Sequence, residues 1–174
     1  MPTFTQLLAH SLAYGAILSV FMIGFIVLTL VSKPDLWLDD APADVKQAAG
    51  PMSPATKRTR RRLAIPVFAV VIGLLIHSLL RLAQLSGGAL AFTDVFLSTF
   101  LIVQVFNVID LVLIDWLLIC AWQPKFVIVP ATAGLAGMRD YGFHFRGFLK
   151  GLVGSAVASV LIAAIVAAAQ ALLA

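Results

Sequence analysis

Four apolar stretches, near residues 12–31, 63–85, 95–120 and 151–173, each reach the roughly 20 helical residues that cross the hydrocarbon core of a bilayer. In hydrocarbon every backbone polar group must be satisfied within its own segment, and a helix does this. The longest polar gap is only about 30 residues, too short for an independent core. Charged residues make up 11% of the 174-residue chain, against roughly 25% in soluble domains. The expected fold is therefore all-α. It is an integral membrane four-helix bundle forming a single transmembrane domain, with a polar linker at 32–62 and an interfacial or re-entrant segment at 122–150 between the third and fourth helices. No Lys or Arg precedes the first stretch, and its apolar run is longer than the roughly 7–15 residues of a signal-peptide core, so it reads as a retained helix.

The net charge of +4 is distributed as a topology signal. The first connection holds Lys33, Lys46, Lys57, Arg58, Arg60, Arg61 and Arg62, and the third holds Lys125, Arg139, Arg146 and Lys150. The second, at 86–93, holds no basic residue. Basic connections stay on the cytoplasmic side, which directs both termini outward. The bilayer itself is the expected partner. Arg60, Arg61 and Arg62, with Arg139, Arg146 and Lys150, are candidates for anionic headgroups, at about 1 kcal/mol per basic residue near the surface. Nothing in this pattern calls for nucleic acid. Asp35, Asp39, Asp40 and Asp44 lack the regular spacing of a calcium loop, and the prolines of 32–62 oppose a long helix. That linker reads as mobile and solvated.

Asp110 and Asp115 lie inside the third apolar stretch, together with Gln104 and Asn107. An acid at a bilayer centre costs about 2.5–3.5 kcal/mol on insertion scales. Such residues face a bundle interior or a wet cavity and mark candidate sites. At 100° per residue the four fall within an arc of roughly 140°, with Asp115 at its far edge. In the second stretch His77 shares a face with Gly73 and Arg81. If stretches two and three form an antiparallel hairpin, His77 stands level with Gln104 and Asn107. The expected ligand or proton path is then His77, Gln104, Asn107 and Asp110, with Asp115 nearer the inner water layer. A packing network is the alternative, although neutral amides would suffice for that.

Pro124, Pro130, Gly134 and Gly137 forbid a long helix in the next connection. Residues 139–150 then mix cations with Tyr141, Phe143, Phe145 and Phe148, a composition suited to the headgroup layer. Asp115, Asp140, His144 and Arg146 form a second conceivable constellation, in which an acid–histidine pair does acid–base work. Asp110, Asp115, Asp140 and His144 are the candidate catalytic residues, and Arg146 would hold an anionic head. Ser11, Gly15 and Ser19, and Gly147, Gly151 and Ser155, put small residues at four-residue spacing. Such faces let helices approach closely, within the chain or between copies, which makes a homo- or hetero-oligomer conceivable.

Nucleotide-binding glycine loops and the HExxH zinc motif are absent, Cys120 is the only cysteine, and the levels of His10 and His77 do not suit bis-histidine haem. No metal and no cofactor is expected. The run Asn107-Val-Ile-Asp-Leu-Val-Leu-Ile-Asp-Trp116, with Pro124-Lys-Phe-Val and Tyr141-Gly-Phe-His-Phe-Arg-Gly-Phe-Leu-Lys150, resembles a group of small bacterial four-span membrane proteins of unassigned activity. The resemblance covers the second half of the chain. It implies a bacterial inner membrane and carries no activity across. The group's pattern has a glycine and a glutamate where this chain has Ala131 and Ala133, so an acidic role there is missing. Three functional classes fit these residues: proton-coupled transport of a small solute or ion through Asp110, an accessory or scaffold subunit of a membrane complex, and an enzyme acting on a lipid-like substrate at the inner headgroup layer.

Overall fold

A computed structural model of the chain describes residues 2–173. Those residues are all-helical, with no strand among them. In chain order the α-helices are α1 (Phe4–Ser32), the short α2 (Ala43–Ala49), α3 (Pro54–Ser86), α4 (Phe92–Ile109), which continues as a π-helix over Asp110–Trp122, and α5 (Tyr141–Leu173). All but α2 are long and apolar enough to cross a membrane. Local chemistry sets their starts. Thr3 and Gln6 form a reciprocal cap on α1, the Thr3 Oγ1 accepting from the Gln6 N–H at 3.2 Å. Ser53 Oγ accepts from the Thr56 N–H at 3.1 Å, and Pro54 occupies the first turn of α3, where its missing N–H costs nothing. Gly87, at φ 79°, closes α3 in the left-handed region that glycine tolerates.

Two helices are longer than the sequence suggests. The basic run Lys57–Arg62 is the first part of α3, because Pro54 opens a helix and Pro66 is accommodated inside it. Residues 141–150 are the first turns of α5 and not a separate interfacial piece, because the Asp140 side chain accepts from the Phe143 N–H at 2.7 Å and starts the helix early. The linker is also folded. A 3₁₀ helix (Pro34–Asp40) and α2 order it, and its acids are engaged. Asp35 accepts from the Thr56 hydroxyl at 2.6 Å, Asp39 and Asp40 pair with Arg60 at 3.0 and 2.7 Å, and Asp44 accepts from the Gly137 N–H at 2.8 Å.

α4 packs between α1 and α5. Lipid tails are as apolar as leucine, so close packing and hydrogen bonds, not exclusion of water, hold such helices together. The buried surfaces accordingly carry Ser11, Gly15, Ser19, Ser98, Thr99, Ser155, Ser159 and Ala163, while Ile17, Val20, Phe68, Ile76 and Leu161 point outward. Ser11 Oγ meets Ser98 Oγ at 3.4 Å, and Gly15 abuts Val105. Across the other side Gln104 donates to Ser155 and Gly151 abuts Asn107. Of the two uses expected for the small-residue faces, packing within the chain takes most of both onto α4, apart from the exposed Gly147.

α3 is the barest span: 6% of its most apolar stretch is buried, against 33% for α1. The short connection brings Leu82, Leu90 and Val95 together with Ala163, and the Gln170 amide clamps the backbone of Leu90, accepting from its N–H at 2.7 Å and donating to its C=O at 3.0 Å. From there α3 leans on α1 and not on α4. His10 Nε2 bonds Ser78 at 2.8 Å, and the Tyr14 hydroxyl bonds His77 Nδ1 at 2.9 Å. The expected hairpin of spans two and three therefore does not bring His77 to Gln104.

A Cβ added at Gly15 would lie 2.6 Å from the Cβ of Val105, an atom fixed to its own backbone. Gly15→Ala should therefore push α1 from α4 and lower stability by about 1–3 kcal/mol. Gly24 faces open space, and Gly24→Ala should change stability by no more than about 1 kcal/mol. Unfolding of the purified variants in mixed micelles measures both.

Candidate functional site

The turn that matters begins at Asp110. There the ladder changes from i→i+4 to i→i+5 and stays so to Trp122, ending where the Gln123 N–H meets the Leu118 carbonyl at 3.0 Å. Pi-helical segments are rare and recur at functional sites. In an α-helix, residues five apart point roughly 140° away from each other. With i→i+5 bonding they sit about one above the other. Asp110 and Asp115 are five apart, so both carboxylates face one side. Gln123 then turns the chain in the left-handed region at φ 51°, its side-chain amide donating to the Met138 carbonyl at 2.9 Å.

That side is a chamber of about 320 Å³ at the end of the molecule where the two long connections meet. Ile26 and Leu30 of α1 form one wall. The 3₁₀ helix contributes Trp37, Leu38 and Asp40, α2 contributes Val45, and the later connection contributes Val127, Thr132 and Met138. Asn107, Asp110, Ile114 and Asp115 come from the third span, and Phe143, His144, Gly147 and Phe148 from α5. A cluster of Ile26, Leu30, Ile114, Leu118 and Val127 holds the walls together. The Trp37 indole N–H donates to Thr29 Oγ1 at 3.1 Å, which fixes its ring.

His144 Nδ1 lies 2.9 Å from Asp115 Oδ1, and the imidazole is 10% exposed against 23% for the carboxylate. With the carboxylate accepting, Nδ1 carries a proton. The ring's Nε2 is buried without a partner, and so is Asp110 Oδ1. A buried polar atom without a partner is costly unless something else satisfies it. Asn107 spends its amide donors on the Gln104 Oε1 at 3.1 Å and the Phe148 carbonyl at 3.3 Å.

Of the sequence candidates, Asn107, Asp110, Asp115 and His144 meet in the chamber. Gln104 stands beside it, bound to Ser155 and Asn107. His77 is exposed and bound to Tyr14. Asp140 caps α5 and approaches Arg146 at 3.6 Å, so the constellation of Asp115, Asp140, His144 and Arg146 reduces to Asp115 and His144. Arg139 and Lys150 are exposed outside the chamber walls. Arg61 and Arg62 are exposed on α3, while Arg60 is drawn to Asp39 and Asp40. Sequence reasoning missed the wall supplied by Trp37, Leu38 and Val45, since nothing local marks a linker that folds back. No protein-family model, curated protein or solved structure matches the chain, so the chemistry of the chamber is read from its geometry.

Asp44 holds the two long connections together through the Gly137 N–H, and a Cβ at Gly137 would overlap its carboxylate. Gly137→Ala should displace Asp44 and break the hydrogen bonds its carboxylate accepts from the N–H groups of residue 137 and Val45. A hydrogen bond to a charged group contributes about 1.5–3 kcal/mol. Amide exchange at Val45 and residue 137 should therefore quicken about tenfold or more, as read by mass spectrometry.

Proposed function

We propose that the chamber binds a small solute or ion and exchanges it against protons, making this a small proton-coupled transport protein of a bacterial inner membrane. The observation that carries the reading is the Asp110 carboxylate with an unpartnered oxygen in an apolar-walled chamber that also holds the Asp115–His144 pair. An isolated carboxylate among apolar walls is costly, so a proton or a bound ligand neutralises it, and the two compete. Asp115 holds the His144 ring in one orientation, with Nε2 left unpartnered in the same chamber as the free oxygen of Asp110.

The rest of the chain fits this reading. The four spans form a bundle, with the basic connections and the chamber on the cytoplasmic side and both termini outside. Residues 123–139 close the chamber as an irregular plug at the inner interface. Lys57, Arg58, Arg61 and Arg62, exposed on the first turns of α3, rest on anionic headgroups. A second reading draws on the same Asp115–His144 bond: an acid–base pair of this geometry suits an enzyme acting on a lipid-like molecule.

The test is a proteoliposome assay with a trapped pH dye and an imposed pH gradient, in which inorganic ions and small organic cations, anions and zwitterions are presented in turn. At least one class should speed collapse of the gradient with wild-type protein. Asp110→Asn should return the rate to that of empty liposomes, while Asp110→Glu keeps part of it. No acceleration by any class, or an unchanged rate in Asp110→Asn, would remove the proposal.

A further inference from the structure

We infer that the ligand of this chamber is an amphipathic organic cation, its positive head at Asp110 and His144 and its apolar body along the hydrophobic walls. The inference rests on the chamber being the binding site proposed above, and it names what that site takes.

Three independent observations point the same way. The first is charge. Asp40, Asp110 and Asp115 are all chamber walls, and no Lys or Arg is among them. Arg60 offsets Asp40 from outside, and among the described residues no Lys or Arg pairs with Asp110. The cations expected to hold an anionic head, Arg139, Arg146 and Lys150, are not chamber walls either.

The second is hydrogen-bond polarity. The buried chamber atoms without partners are Asp110 Oδ1 and His144 Nε2. His144 is nine-tenths buried, and its Nδ1 is committed to Asp115. Asn107 has spent its donors. Once Asp110 has given up its proton its free oxygen only accepts, and it calls for a ligand that donates or carries positive charge. Trp116 Nε1 is also buried without a partner, but Trp116 is not a chamber wall.

The third is the lining. Trp37, Phe143 and Phe148 are among the chamber walls, and aromatic rings attract cations by about 0.5–2 kcal/mol. The aliphatic walls suit a hydrocarbon body. An inorganic cation would leave them unused, and an organic anion would meet Asp110 with no Lys or Arg in the walls to hold it. Binding balances as an exchange: the carboxylic acid of Asp110 releases its proton as the cation arrives, and the carboxylate that remains is neutralised by it.

Tetraphenylphosphonium and tetraphenylborate have nearly the same shape and opposite charge, so they isolate the sign. The experiment measures binding of each radiolabelled probe to the full chain in lipid nanodiscs by scintillation proximity. Tetraphenylphosphonium should bind saturably and release a proton. Its affinity should fall at least about tenfold, or 1.4 kcal/mol, in Asp110→Asn and persist in Asp110→Glu. Gly147 is a chamber wall with open space at its Cβ, so Gly147→Leu should fill the chamber and block binding without disturbing the helices. Tetraphenylborate should bind no better than to empty nanodiscs. Binding of the borate instead, blocked by Gly147→Leu, overturns the cation and leaves the chamber standing as a site. Phosphonium binding indifferent to both Asp110→Asn and Gly147→Leu overturns the inference, as does no protein-dependent binding of either probe. Phosphonium binding that needs Asp110 but releases no proton supports the ligand class and overturns the coupling.

Discussion

The structure depends on the close approach of α4 to its two neighbours. In a bilayer the hydrophobic effect does not push helices together, so contact distance and hydrogen bonds carry the association. Gly15 against Val105 on one side, and Gly151 against Asn107 on the other, let three backbones approach where any larger side chain would hold them apart. Serines at the same seams meet one another or the Gln104 amide. With α4 gripped on both sides, its continuation toward the two long connections has a fixed direction. The carboxylates on that continuation are then presented to one place.

The change from α to π at Asp110 converts that direction into a site. An α-helical continuation would have turned Asp115 well away from Asp110. The wider turn stacks them, and α5 supplies His144 to the lower one. Pi turns are less favourable than α turns and persist where the surroundings hold them. Here the walls do so, with Ile114 and Leu118 packed against Ile26, Leu30 and Val127. The chamber is closed by two connections that supply apolar walls and are joined by hydrogen bonds. Asp44 binds Gly137, Gln123 binds Met138, and Arg60 holds Asp39 and Asp40. Polar contacts outside the oil thus fix the shape of an apolar cavity beside it.

Several features were legible because they are local. Length and hydropathy gave the four spans, and the expense of an acid in hydrocarbon singled out Asp110 and Asp115. Where the reading failed, it failed on assumptions of regularity. The arc drawn for Gln104 to Asp115 assumed an α-helix throughout, and the pairing of His77 with Gln104 assumed that spans joined by a short connection stay together. The prolines of 34–54 suggested a mobile linker, yet Pro34 and Pro54 each stand in the first turn of a helix, where proline is tolerated. The small-residue faces were recognised, but sequence spacing is silent on whether such a face meets the same chain or another.

By itself the sequence determined the environment and the suspects: an all-helical chain with four membrane-length segments and two acids in the third. Those properties follow from transfer energies of single residues and from the need of each backbone group for a partner within its own segment. Tertiary structure alone decided that Asp115 takes His144 and that a folded linker walls the chamber. These outcomes rest on distances between residues far apart in the chain. Such distances are set by which helices pack and at what phase, and no local preference encodes them.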